Sequence, residues 1–204
     1  MTYGTVRAAV APALEFAPLT AARWGDLERL FGERGACGGC WCMWWRLRRS
    51  EYDRQKGEGN RRALRALVEA GEPVGVLAYL AGEPVGWCAV APRQAYPVLA
   101  RSRILAPVEA DDGGDGDRAV WSVTCLFVAR PYRRRGLTAH LLEAAVAHAH
   151  DRGARVVEGY PVEPRQPALP PVFAATGLAS AFRRAGFVEV LRRSETRPIM
   201  RRVL

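Results

Sequence analysis

The sequence predicts a single α/β domain built on a mixed sheet of six or seven strands with flanking helices. Three observations carry that reading. The 204 residues are 49% hydrophobic, 9% aromatic and 25% charged, an ordinary globular composition with enough length for one core. Stretches with apolar residues three and four apart alternate with apolar runs too short for a helix, so helices and strands are interleaved. No repeat and no sharp change of composition divides the chain, so residues 1–204 read as one domain.

In chain order, residues 20–34 set Trp24, Leu27, Leu30 and Phe31 on one helical face behind a Thr20 cap. Residues 60–70 group Leu64, Leu67 and Val68 and stop at Gly71, a second helix. From 74 to 92 the period changes: VGVLAYL and VGWCAVAP flank a Gly82-Glu83-Pro84 turn, which reads as a hairpin. Residues 93–119 hold a loop or short helix around AYPVLARSR, then DDGGDGD. Residues 120–128, VWSVTCLFV, are rich in β-branched and aromatic side chains and read as a buried strand that Pro131 ends. Gly136 opens a helix with Leu137, Leu141, Ala145 and His148 on one stripe, and ARVVEGY (154–160) is the next strand. A loop follows with Pro161, Pro164, Pro167, Pro170 and Pro171. GLASAFRRAG is a short helix ending at Gly186, and FVEVLRR with RPIMRRVL close the chain as an antiparallel pair. With a strand ahead of the first helix, the order is β-α-α-β-β-β-α-β-α-β-β.

Bulk properties exclude several functions. No apolar run approaches the roughly eighteen residues of a membrane span. The apolar stretch Met1–Ala13 lacks the basic start and unbroken apolar region of a signal peptide, so a cytoplasmic protein is expected. Five cysteines, at 37, 40, 42, 88 and 125, are too few and odd in number for a secreted disulfide scaffold. The net charge is +9, and Lys56 is the only lysine among the thirty basic residues. Such a chain attracts anions: nucleic acid, acidic membranes or phosphorylated small molecules.

The stretch 126–138, LFVARPYRRRGLT, selects among these. A buried strand passes through a turn carrying Arg130, Arg133, Arg134 and Arg135 directly into a helix, with Gly136 at the junction. Unpaired N–H groups and the positive dipole end at a helix start bind phosphate, and glycine permits close approach. The arginines add forked donors. This stretch resembles the signature of the GNAT superfamily, the acyl-CoA-dependent N-acyltransferases, in which Arg/Gln-x-x-Gly-x-Gly/Ala follows a strand. Here it reads Arg133-Arg134-Arg135-Gly136-Leu137-Thr138, with Thr138 departing from the usual small last residue. The element order agrees, ARVVEGY stands where expected, and AFRRAGFVEV resembles the family's last helix and Gly-Phe strand, so residues from about 14 to 203 are covered.

The resemblance implies transfer of an acetyl group from acetyl-CoA directly to a primary amine of a small molecule or peptide. It places acetyl-CoA between strands 120–128 and 154–160, its pantetheine along Leu126, Phe127 and Val128 and its pyrophosphate on the amides of Arg134 to Thr138. Phe182 belongs to the same cofactor-binding set. Two family residues are missing. Ser122 stands where a glutamate base is frequent, and Phe182 where a tyrosine acid is frequent. Tyr160 is therefore the first candidate for the acid, with Glu158 on the same side of its strand, Ser122 as holder of a water, and Tyr132 in the loop. The Val128 amide is the family-like oxyanion donor. The missing pair also motivates the alternative of a catalytically degenerate CoA-binding sensor.

Other signals are weaker. Cys37-Gly-Gly-Cys40-Trp-Cys42-Met-Trp44-Trp45 contains Cys-x-x-Cys, but a structural zinc needs four ligands, so no metal is expected. Trp41, Trp44 and Trp45 are candidates for the acceptor-pocket lining, against a plain core role. His140, His148 and His150 make no metal pair, and Asp111–Asp117 lacks ligands that a calcium loop needs. Arg183, Arg184, Arg192, Arg193, Arg197, Arg201 and Arg202 crowd the C-terminus without a nucleic-acid reader element. The expected partner is thus an amine acceptor, with neither membrane nor nucleic acid, for a chain acting alone or as a homodimer.

Overall fold

The computed structural model describes residues 13–108, 119–165 and 174–204. The Asp111–Asp117 run, Met1 to Pro12 and Pro167, Pro170 and Pro171 lie outside these. The described residues form seven strands: β1 (Leu14–Pro18), β2 (Val76–Leu80), β3 (Glu83–Pro92), β4 (Val120–Val128), β5 (Val156–Gly159), β6 (Val188–Arg192) and β7 (Pro198–Val203). The helices are α1 (Trp24–Phe31), α2 (Arg49–Gln55), α3 (Glu58–Glu69), α4 (Pro97–Ala100), α5 (Leu137–His150) and α6 (Ala179–Arg184). The sheet runs β1-β2-β3-β4-β5-β7-β6, antiparallel throughout except for the parallel pair β4–β5.

The expected elements form with local adjustments. Thr20 makes no side-chain capping bond, and a short 3-10 turn at Ala21–Arg23 leads into α1 instead. The hairpin turn lies at Ala81 and Gly82, both in the left-handed region, so Glu83 and Pro84 already belong to β3. α2 is an addition, because RSEYDRQ buries only Tyr52 and carries no apolar stripe to betray it.

Two features of β4 shape the molecule. Ala89 pairs with Cys125 and Val90 with Val123, so Thr124 is an extra residue and β4 carries a bulge there. β5 has only four residues and pairs with Val120 to Val123, so beyond the bulge β4 runs on without it. The β4–β5 pairing ends at Val123 and Gly159, one residue before the bulge. Against one face pack α5 and α6, burying Val123, Val157, Met200, Leu141, Leu142 and Phe182. The other face is covered by α1, α3 and the Cys-rich loop around Leu27, Leu64, Trp41 and Trp87, with a smaller group of Tyr96, Leu99, Leu105, Tyr160 and Ile199.

Candidate active site

The site is built on the β4 edge that β5 leaves open. Side-to-side alternation along a strand sends the backbone groups of Leu126 and Val128 to this edge, since the Ala129 N–H that follows them bonds back to Val85 of β3. The chain already uses part of the edge. The Leu126 N–H donates to the Ala175 carbonyl at 2.7 Å, and the Arg133 Nε donates to the Val128 carbonyl at 2.8 Å. The Leu126 amide is thus bonded within its own chain in this conformation. The Val128 N–H still points to the open edge.

At the outer end of β4 the turn Arg130–Tyr132 leads to Arg134 at φ 62° and Gly136 at φ 79°, the residue before α5. Two left-handed residues in three turn the chain sharply enough to aim the first amides of α5 outward. A β-carbon added at Gly136 meets nothing within 4 Å, so the space ahead of the helix is open. Arg133, Arg134 and Arg135 are exposed around it, and the first turn of α5 contains no acidic side chain. Leu137 is buried and Thr138 half-buried, which roots the turn. Outward amides, an open approach and fixed positive charge fit a pyrophosphate.

At the inner end, where β4 and β5 part, the structure brings Tyr160, Glu158 and Ser122 together. The Tyr160 hydroxyl donates to Glu158 Oε1 at 2.6 Å, so its 3.0 Å bond with Ser122 Oγ takes its proton from serine. Glu158 also receives Arg201 Nε at 2.7 Å and stands 3.9 Å from Arg93. Register explains the cluster: Ala91, Ser122, Glu158 and Arg201 form one row across four strands. Glu158 is 0% and Tyr160 1% exposed, and burial together with the Glu158 charge pushes the Tyr160 hydroxyl well above its ordinary value. Tyr132, by contrast, is half-buried in the turn beneath Arg135. Phe182 is fully buried between the ends of the strands: β-carbons added at Gly159 and Gly177 meet its ring at 2.1 and 2.7 Å.

The three tryptophans do not form one wall. Trp41 is core, stacked with Trp24 at 5.9 Å and tilted against Phe31. Trp45 packs with the Tyr96–Leu99 group, and Trp44 is 40% exposed under Arg49 and edge-on to Tyr52. The loop that carries them is wound through left-handed residues Gly35, Ala36, Gly38, Gly39, Trp41 and Cys42. Its thiols are free, and Cys42 Sγ accepts a hydrogen bond from the Trp87 indole N–H at 3.2 Å. Among the described residues no group of three or more His, Cys, Asp or Glu is placed to hold a metal ion. Nor is any described helix long and apolar enough to cross a membrane.

A family model described as the acetyltransferase (GNAT) family matches residues 41–170, well over half of the chain. The chain belongs to the GNAT acetyltransferase family. The matched span carries β2 to β5, the bulge, the arginine turn and α5, which are the parts that form the wedge. Solved structures show the same fold. An aminoglycoside acetyltransferase with coenzyme A and kanamycin is 17% identical over 94% of this chain and 95% of its own, TM-score 0.51. A ribosomal-protein-alanine N-acetyltransferase from Brucella melitensis is 16% identical over 93% and 99%, TM-score 0.51. The enzyme AAC(6')-Ib with ribostamycin and coenzyme A reaches 0.53 at 16% identity over 94% and 93%. No curated protein matches the sequence significantly.

Several features of this GNAT site escaped the sequence. The Ala175 carbonyl on Leu126 arrives from a segment with no regular pattern, and the closest cationic partner of Glu158 is Arg201, inside the basic C-terminal run. Alternation along RPIMRR, which turns one arginine inward, was the available signal for Arg201.

Proposed function

We propose that this protein is an acetyl-CoA-dependent N-acetyltransferase, one domain over residues 1–204 working in the cytoplasm, that moves an acetyl group directly to a primary amine of a small molecule or peptide. The observation that carries the reading is the open β4 edge leading out from the Thr124 bulge to the Gly136 phosphate cradle. The amides of Arg134 to Thr138 would hold the pyrophosphate, and Val128 with its neighbours Leu126 and Phe127 would line the pantetheine. Bound acetyl-CoA supplies the activated acyl group. The Val128 N–H points to the edge where negative charge develops on the thioester oxygen, and Phe182 closes the inner end of the wedge against water.

The amine must lose its proton before it attacks. The Tyr160–Glu158–Ser122 set holds the inner end of the wedge rigid, because each of its members is committed to another. Proton loss from the amine to water is then the simplest route. The acceptor approaches from the face of Phe127 and Cys125, past the exposed Trp44.

The burial of Tyr160 and Glu158 and the capture of the Leu126 amide also favour a second reading, a CoA-binding sensor without turnover. Thiol release from acetyl-CoA across a panel of small amines and peptides separates the two. Release with any acceptor supports the transferase. CoA binding with no release across the panel supports the sensor, and no binding of CoA removes both.

A further inference from the structure

The segment joining β5 to α6 contains a buried hydroxyl that none of the described residues uses. Thr176 is 8% exposed, yet its Oγ1 has no hydrogen-bond partner among the described residues. A hydroxyl taken out of water without a partner destabilises a fold, so native structures keep few of them. Its position is fixed from both sides. The Ala175 carbonyl accepts the Leu126 N–H, while the Gly177 carbonyl accepts the Val162 N–H and Ala179 N–H bonds back to Val162. A β-carbon added at Gly177 would stand 2.7 Å from both Leu126 Cδ1 and the Phe182 ring. Thr176 is thereby held at the inner end of the open edge, opposite in direction from the phosphate cradle at Gly136.

Other donors at that level are spoken for. The Leu126 amide is taken by Ala175, the Tyr160 hydroxyl by Glu158, and Phe182 has none to offer. Thr124 also has a buried hydroxyl without a partner, but it neighbours the Tyr96 phenol. We infer that the Thr176 hydroxyl donates a hydrogen bond to the thioester carbonyl of acetyl-CoA, from the Leu126 side of the open β4 edge. This rests on the acetyl-CoA reading above. A neutral hydroxyl there stabilises developing negative charge without exchanging a proton.

The test is infrared difference spectroscopy of the full-length protein with acetyl-CoA carrying a carbon-13 label at the thioester carbonyl and no amine present. The wild type should shift the carbonyl band to lower frequency. T176V should bind acetyl-CoA within about threefold of wild type but lose most of the shift, T176S should restore it, and T124V should leave it unchanged. Because the free protein has no bond to lose, T176V should melt at or above the wild-type temperature. In turnover, kcat of T176V should fall about tenfold to a hundredfold with little change in KM. A wild-type band in bound T176V, or a clearly lower melting temperature, would overturn the assignment. Wild-type protein that binds no acetyl-CoA would overturn the parent reading with it.

Discussion

Gly136 and Gly71 allow the phosphate cradle to be tested with its own control. Both lie in the left-handed region, at φ 79° and 77°, and at neither does an added β-carbon meet any atom within 4 Å. Aspartate at either position therefore carries the same backbone cost, about 1 kcal/mol, with no steric clash. That lowers the melting temperature by roughly 2–4 °C for a chain of this size. The two differ in what the carboxylate faces. At 136 it stands before the α5 amides, and a phosphate charge about 5 Å away at an effective dielectric near 40 costs about 1.7 kcal/mol. Calorimetric titration with CoA should show G136D at least about tenfold weaker than wild type and G71D unchanged. The loss should shrink between about 50 and 300 mM salt, roughly the range over which screening grows. Equal affinity of G136D and wild type, or an equal loss in G71D, would refute the cradle.

The remaining predictions concern stability and the acceptor face. Burial, reinforced by Arg152, depresses His148 from its ordinary value to about 4. The unfolded chain protonates this residue near pH 6.5 and the folded one only near 4, so stability falls as pH drops through that window and levels off below it. The span amounts to roughly 3 kcal/mol, and chemical denaturation should find it missing in H148F. E158Q leaves Arg201 and Arg93 facing a neutral amide in a buried row, and is expected to cost roughly 3–5 kcal/mol in urea unfolding. A loss under about 1 kcal/mol would mean that the row is not tightly coupled. W41A should lose about 3–5 kcal/mol as a core truncation, whereas W44A should stay within about 1 kcal/mol and act on the acceptor KM alone. An unchanged KM across several acceptors would take Trp44 out of the acceptor face.

Long periodic segments and local turn chemistry were legible from residue order. The strand VWSVTCLFV and the helix after Gly136 form at their expected bounds because each buries a continuous apolar run or stripe. The arginine turn was equally readable, since a helix start, a glycine and forked cations act through local geometry. The site's inner end was not. Tyr160, Glu158 and Ser122 were chosen separately, and the row that joins them exists because β4, β5 and β7 fall into one register. The three tryptophans looked like one wall, but a run of left-handed residues sends them to three different neighbourhoods. The C-terminal arginines had no role legible in residue order; in the fold Arg192 and Arg183 clasp Glu163, while Arg197 and Arg202 bond the carbonyls of Tyr160 and Ala185.

The sequence by itself determined the fold class, the strand-to-helix cradle and the basic charge around it, because these depend on residues within one helical turn or one strand of each other. Tertiary structure alone decided which carboxylate is neutralised, which amide is already occupied and which hydroxyl is left over at the wedge. Those properties belong to pairs of segments far apart in the chain. The Ser122–Glu158–Arg201 row is set by strand register, and a shift of one residue would turn those side chains to the opposite face.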